Sequence, residues 1–136
     1  MSKADEDGTG RVTGLGGVFF KTEDTGATRQ WYEEHLKLDG PADDVIMFWW
    51  RYDDDPERRG HTVWGPFDKN SEYFGPGDAP FMFNYRVDDL DAILTRLRAE
   101  GVEVLDKRED SEFGRFGWIV DLDGRRVELW EPSEGT

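Results

Sequence analysis

The alternation of apolar and polar residues divides the chain into short strands and two helical stretches. Residues 12–22 read as a strand around Val18-Phe19-Phe20. Its glycines, Gly14, Gly16 and Gly17, leave room for another backbone or a ligand to approach closely. Asp24 or Thr25 can cap a helix running to about Leu36, with Ala27, Trp31, His35 and Leu36 as its expected core side. Residues 39–44 break the chain. Residues 45–52 form a dense apolar strand, 53–60 a polar turn, 61–66 another strand, and 70–80 a loop rich in Gly and Pro. Residues 81–87 begin a second round. Asp88-Asp89 caps a helix to Glu100 that places Leu90, Ile93, Leu94 and Leu97 on one face. Gly101 suits the left-handed position that ends it. Short strands over 102–105, 118–120 and 126–131 complete the set.

The last two strands flank Asp123-Gly124, a turn that exploits the positive φ glycine tolerates. Side chains alternate along a strand, so Val127 and Leu129 face one way and Arg126, Glu128 and Trp130 the other. A two- or four-residue turn would bring Ile119 opposite Glu128; a three-residue turn would break that register. Glu128 is thus a mid-strand carboxylate, either a rim charge or a group aimed into a cavity.

Asp24 and Asp89 are both cap candidates, and they lie 65 residues apart. The same offset pairs Gly17 with Met82 and Phe20 with Tyr85. The repeat is one of pattern. It predicts an α+β fold of two tandem βαβββ modules, residues 11–78 and 79–132, in a single domain over 11–134. Side by side, two such curved sheets would enclose a shared groove. Residues 1–10 are acidic and polar, and are expected to be a disordered tail.

Composition narrows the function. The 136 residues carry a formal net charge of -14, which repels nucleic-acid backbones. No apolar run is long enough to cross a membrane. The tail lacks the apolar core of a secretion signal. The absence of cysteine excludes disulfides and thiolate chemistry and suits a cytoplasmic setting. So acidic a surface also fits a salt-rich, halophilic cytoplasm, because salt screens self-repulsion.

Three segments together carry a resemblance: Gly17 to Asp24 with Trp31-Tyr32-Glu33-Glu34-His35-Leu36; Phe83 through the following helix to Val102; and Trp118 to Pro132. In this order and spacing the chain resembles the vicinal oxygen chelate superfamily, also called the glyoxalase/bleomycin resistance/dioxygenase family, over about residues 14–132. The resemblance implies the two-module fold and, often, a homodimer. Metal-dependent members bind one divalent ion through His, Gln or Glu on four strands. The matching positions here look like Gly17, Met82, Glu128 and, by the repeat offset, Val63. Only Glu128 is a ligand type, whereas a stable site needs about three converging N or O donors. The family metal centre is therefore expected to be absent, and no cofactor is called for. The alternative is a metal-dependent lyase, isomerase or dioxygenase using Glu128 with further ligands. His61 reads as a polar residue leaving a turn, and His35 as structural.

Glycine and methionine at ligand positions would leave a roomier, more apolar groove. Of the two faces of strand 47–52, the one bearing Phe48, Trp50 and Tyr52 is assigned to the groove. Trp64, Phe81, Phe83 and Tyr85 add aromatic surface. Six tryptophans in so small a domain suit a pocket for a planar or aromatic ligand. Asn84, Arg115 and Glu128 are the polar candidates to orient it, with Met82 beside them. Arg115 sits in a glycine-flanked loop. A buried Glu128 would have a raised pKa and could act as an acid or base. The expected function is binding of a small organic ligand. The other alternative is a non-catalytic protein-interaction domain.

Overall fold

The computed structural model describes residues 10–40 and 46–134. The expected disordered tail, apart from Gly10, lies outside the described residues. The order is β1 (Val12–Thr22), α1 (Thr25–Leu36), β2 (Ile46–Tyr52), β3 (Asp55–Asp68), β4 (Phe81–Val87), α2 (Leu90–Ala99), β5 (Val104–Ser111), β6 (Gly114–Val120) and β7 (Arg126–Pro132). The strands form one seven-stranded sheet ordered β2-β3-β1-β4-β7-β6-β5. β1 runs parallel to β3, and β4 runs parallel to β7. An antiparallel β1–β4 seam joins the two modules. The α+β architecture is the one the repeat implies.

Both helices start on an aspartate. Asp24 Oδ1 accepts from the Ala27 N–H, and Asp89 Oδ1 accepts from the Ala92 N–H, each at 3.0 Å. α2 then buries Leu90, Ile93 and Leu94 against Val87 and Leu129, as its periodicity predicts. α1 behaves differently. It buries no residue, and Trp31 and Leu36 are exposed, so the core stripe expected there is overturned. Its contact with the sheet runs through Tyr32, packed on Phe20 and Trp64. His35 stacks on the exposed Trp31.

Three strands are longer than their apolar runs. β3 starts at Asp55, inside the expected polar turn. There Arg58 lies over the Tyr52 ring and Arg59 over Trp49, so cation–π contacts hold charged residues on the hairpin. β5 continues to Ser111 through charged residues because it is a sheet edge. β6 starts four residues before Trp118, with Phe116 stacked on Trp130 across β7.

The β6–β7 turn spans three residues. Asp121 N–H donates to the Arg125 carbonyl, and Gly124 has φ +86°. The Asp121 carboxylate accepts from the Asp123 and Arg125 N–H groups and locks the turn. Trp118 therefore stands opposite Glu128, and Ile119 opposite Val127. The alternative that put Ile119 opposite Glu128 is excluded by this chemistry.

Candidate functional site

Partners across a sheet project to the same face. Following the registers, Met47, Val63, Gly17, Asn84, Glu128 and Trp118 form one row across six strands. Both helices pack on the opposite face, through Trp64 and Phe20 for α1 and through Leu129 and Gly117 for α2. The row thus lies on the helix-free face. Trp49, His61, Arg86, Trp130 and Phe116 lie beside it on the same strands.

Four polar or charged side chains are buried among the described residues: His61, Asn84, Arg86 and Glu128. All four belong to these two rows. Asn84 Nδ2 donates to Glu128 Oε1 at 2.6 Å, and the Tyr73 hydroxyl donates to Glu128 Oε2. Burial pushes the Glu128 carboxyl above its ordinary range, while hydrogen bonds from Tyr73, Asn84 and Trp118 pull the other way. Burial and then the charge of Glu128 push the Tyr73 phenol up, so it stays a donor. Asn84 Oδ1 is buried without a partner, as is His61 Nδ1. His61 lies between the rings of Trp49 and Trp130. Burial, then the nearby Arg86 charge, lowers its pKa, so it is neutral near pH 7.

A bulge at Gly16 makes this packing possible. β1 shifts register between Leu15 and Gly17, and a Cβ at Gly16 would collide with Asn84 Oδ1. The paired stretch of β1 and β3 begins only at Gly17 and Val63. Arg86, fully buried, reaches past that point. It donates from Nε to the Tyr52 hydroxyl at 3.1 Å and from Nη1 to the His61 carbonyl at 3.2 Å. Trp130 and Trp50 flank its guanidinium, with ring centroids 4.6 and 5.4 Å away.

The residues singled out from the sequence separate into distinct places. Met82, Asn84 and Glu128 come together on the helix-free face. Phe74, from the loop after β3, packs with Met82 and Trp118, and Tyr73 covers Glu128, so this part of the expected groove is filled. Trp50 and Tyr52 instead line a depression of about 660 Å³, shared with Leu15, Arg11, Arg58 and Asp88. Phe48 pairs with Thr62 and Trp64 with Ile46, on the helix-bearing face. The face of β2 that joins the Glu128 row is the one bearing Met47 and Trp49. Arg115 lies on β6 rather than in a loop, two residues before Gly117 and so on the helix-bearing face, where it meets Asp91 of α2 at 2.7 Å.

His61, which the sequence places as a polar residue leaving a turn, joins the site, as do Arg86 and Tyr73, which the alternation pattern does not single out. Two signals were present: His61 is two residues from Val63, and Arg86 is two from Asn84, so strand alternation puts each on the same face. Tyr73 carried no signal, being placed by a loop.

A family model, Glyoxalase/Bleomycin resistance protein/Dioxygenase superfamily, matches residues 14–129. The chain belongs to this superfamily. Solved structures share the fold. A Streptomyces coelicolor methylmalonyl-CoA epimerase variant in complex with 2-nitronate-propionyl-CoA is 17% identical, covering 90% of this chain and 99% of that one, with TM-score 0.64. The methylmalonyl-CoA epimerase of Mycobacterium tuberculosis is 24% identical, covering 90% and 89%, with TM-score 0.55. A hypothetical protein from Bacillus halodurans C-125 is 13% identical, covering 93% and 97%, with TM-score 0.59. No curated protein matches the sequence.

The divalent ion of metal-dependent relatives can be tested against these residues. The seam pairs Gly17 with Asn84 and Phe19 with Met82, and the repeat exchanges these two pairs. Asn84 pairs with Glu128, and its twin Phe19 pairs with Gly65. Gly65, rather than Val63, is therefore the twin of Glu128. The four positions are Gly17, Gly65, Met82 and Glu128, with one ligand type among them. Both Glu128 oxygens already accept hydrogen bonds. Among the described residues no group of three His, Cys, Asp or Glu could hold a metal. The donor set does not fit the ion. No helix among the described residues is long and apolar enough to cross a membrane.

Proposed function

We propose that the protein binds a small organic molecule with a planar part on the helix-free face, and does so without a bridging metal. The observation that carries this reading is the concentration of His61, Asn84, Arg86 and Glu128 in two adjacent rows. Burying polar groups is costly, and a stable core does not require four of them on one face. Beside them, Met47 and Trp49 form an exposed apolar shelf on β2 for the planar part. Asn84 and Glu128 are buried in the same row as Met47, and burial raises the Glu128 pKa.

The planar fluorophore 1-anilinonaphthalene-8-sulfonate tests the reading. It should quench tryptophan emission and saturate at one molecule per chain. Trp49→Ala should weaken it about tenfold, as expected for losing one stacking surface. Unchanged binding by Trp49→Ala would sink the shelf. Metal analysis of protein purified without chelator covers the other half. One divalent ion per chain, lost in Glu128→Ala, would restore the metal-dependent alternative.

A second reading rests on the depression lined by Trp50 and Tyr52, whose volume is within the range of small-molecule sites. Binding there would be lost in Trp50→Ala and retained in Trp49→Ala.

A further inference from the structure

The chain carries 31 acidic residues against 17 basic ones, so a cation has an excess of possible partners. Half-buried arginines elsewhere take one: Arg96 meets Glu100, and Arg115 meets Asp91. Lys21 near the end of β1 and Arg126 at the start of β7 are half-buried too, yet neither forms an ion pair among the described residues. Lys21 lies over the Phe74 ring, 5.5 Å from its centroid, and Arg126 Nη1 donates to the Tyr73 carbonyl at 3.3 Å. Strand alternation puts Lys21 on the face of Gly17 and Arg126 on the face of Glu128, which is the helix-free one. Both line a cavity of about 620 Å³ bounded by the loop after β3. Lys69 of that loop is a third cation there, already held by Glu23 at 2.7 Å. The loop is fixed at two points. Gly75, at φ +95°, lets it lie against Arg126, since a Cβ would come within 3.2 Å of Nε. The Lys21 N–H donates to the Pro80 carbonyl at 2.8 Å.

We infer that this cavity binds a small hydroxylated phosphate monoester, with its phosphate on Lys21 and Arg126. A doubly charged oxyanion matches two cations that lie outside any ion pair. The volume is in the range of small-molecule sites and leaves room for more than a phosphate. Glu72 and Asp78 of the loop also line the cavity. They repel the phosphate but accept hydrogen bonds from hydroxyl groups on the rest of the ligand. Ser71 Oγ accepts from the Tyr73 N–H, which leaves the hydroxyl proton for the same ligand. Tyr73 separates this site from the buried carboxyl: its carbonyl faces Arg126 and its hydroxyl donates to Glu128. The site shares no lining residue with the Trp49 shelf and is independent of the planar ligand proposed there.

Calorimetry of the full chain with glycerol 3-phosphate at low salt tests the inference. One molecule should bind per chain, with a Kd of about 1 mM or tighter, and glycerol should not bind. Arg126→Gln and Lys21→Gln should each weaken binding at least about tenfold. Arg98→Gln removes an equal charge from an exposed position on α2 and should leave binding unchanged. Lys21→Gln gives up only a ring contact, so it tests the site even where Arg126→Gln, which loses the bond to Tyr73, fails to fold. No saturable binding overturns the inference, and so does an equal weakening by Arg98→Gln. Inorganic phosphate bound as tightly as glycerol 3-phosphate would overturn the ester.

Discussion

Asn84 and Glu128 are neighbours across β4 and β7, and Asn84 is the donor: Nδ2 reaches Oε1 at 2.6 Å while its own Oδ1 has no partner. The pair is half matched to either protonation state. As a carboxylate, Glu128 accepts from both Tyr73 and Asn84. As a carboxylic acid it could donate to Oδ1 after a flip of the Asn84 amide.

Glu128→Gln should therefore fold, and its Nε2 should donate to the flipped Asn84. Burial raises the Glu128 pKa, so above the ordinary value of 4.5 the native chain retains a proton that the unfolded chain has lost. The stabilisation from this group is complete below that value and is lost as pH rises through the raised native value. Glu128→Gln has no such loss. Melting temperatures measured from pH 4 to 8 should show its stability gaining on the parent chain as pH rises. A constant difference would refute the raised pKa.

Gly16→Ala should strike the same pair from β1. The new methyl would meet Asn84 Oδ1 and come within 3.1 Å of Arg86 Cγ. Neither side chain has free space, so the bulge must open, at a cost of about 1–3 kcal/mol. Urea unfolding should show that loss. Gly26→Ala serves as a control in α1, because its Cβ would meet Asp24 Oδ1 at an unstrained 3.5 Å.

Much of this is legible in the sequence. Leu90, Ile93 and Leu94 lie on one helical face, and that face is the buried one, because helical period and burial share one cause in an amphipathic helix. Ala27, Trp31 and His35 recur at every fourth residue yet stay exposed, since period alone cannot say whether a sheet surface lies beneath. Of the site, alternation places Met82, Asn84 and Glu128 on the face they share. The choice between the two faces of β2 was not legible. Trp50 and Trp49 are equally aromatic, and only the register with β3 decides which one joins Glu128. The twin of Glu128 was missed by two positions, because differing loop lengths alter the repeat offset along the module. Tyr73 and Phe74 fill the groove from a loop, where no periodicity exists to announce them.

The two aspartate caps should have unequal effects. Asp89→Ala removes the cap of α2, which buries three core residues, and should lower global stability by about 1 kcal/mol. Asp24→Ala removes the same bond from α1, which buries none. Its effect should be local: faster amide exchange over Thr25–Leu36 and a smaller change in the urea midpoint. Equal global losses would mean that α1 contributes more to the core than its exposure suggests.

Arg86 ties the two rows to the β2–β3 hairpin, and its removal should be felt in both. Arg86→Met leaves the His61 carbonyl and the Tyr52 hydroxyl without this donor in a buried site, and should destabilise by roughly 2–4 kcal/mol. Arg86→Lys should recover little of this, because an ammonium cannot reproduce the flat, two-armed contact between Trp130 and Trp50. The charge has its own readout at His61. Arg86 is the smaller of two causes lowering the His61 pKa, burial being the larger. Since the native pKa lies below the ordinary 6.5, stability from His61 is present above that value and lost as pH falls through the native one. Proton NMR should resolve the chain's two histidines, His35 exposed and His61 buried. In Arg86→Met the His61 midpoint should rise yet stay below 6.5, whereas in Arg86→Lys it should stay near the parent value. A His61 midpoint unmoved by Arg86→Met would show that the guanidinium does not act on it.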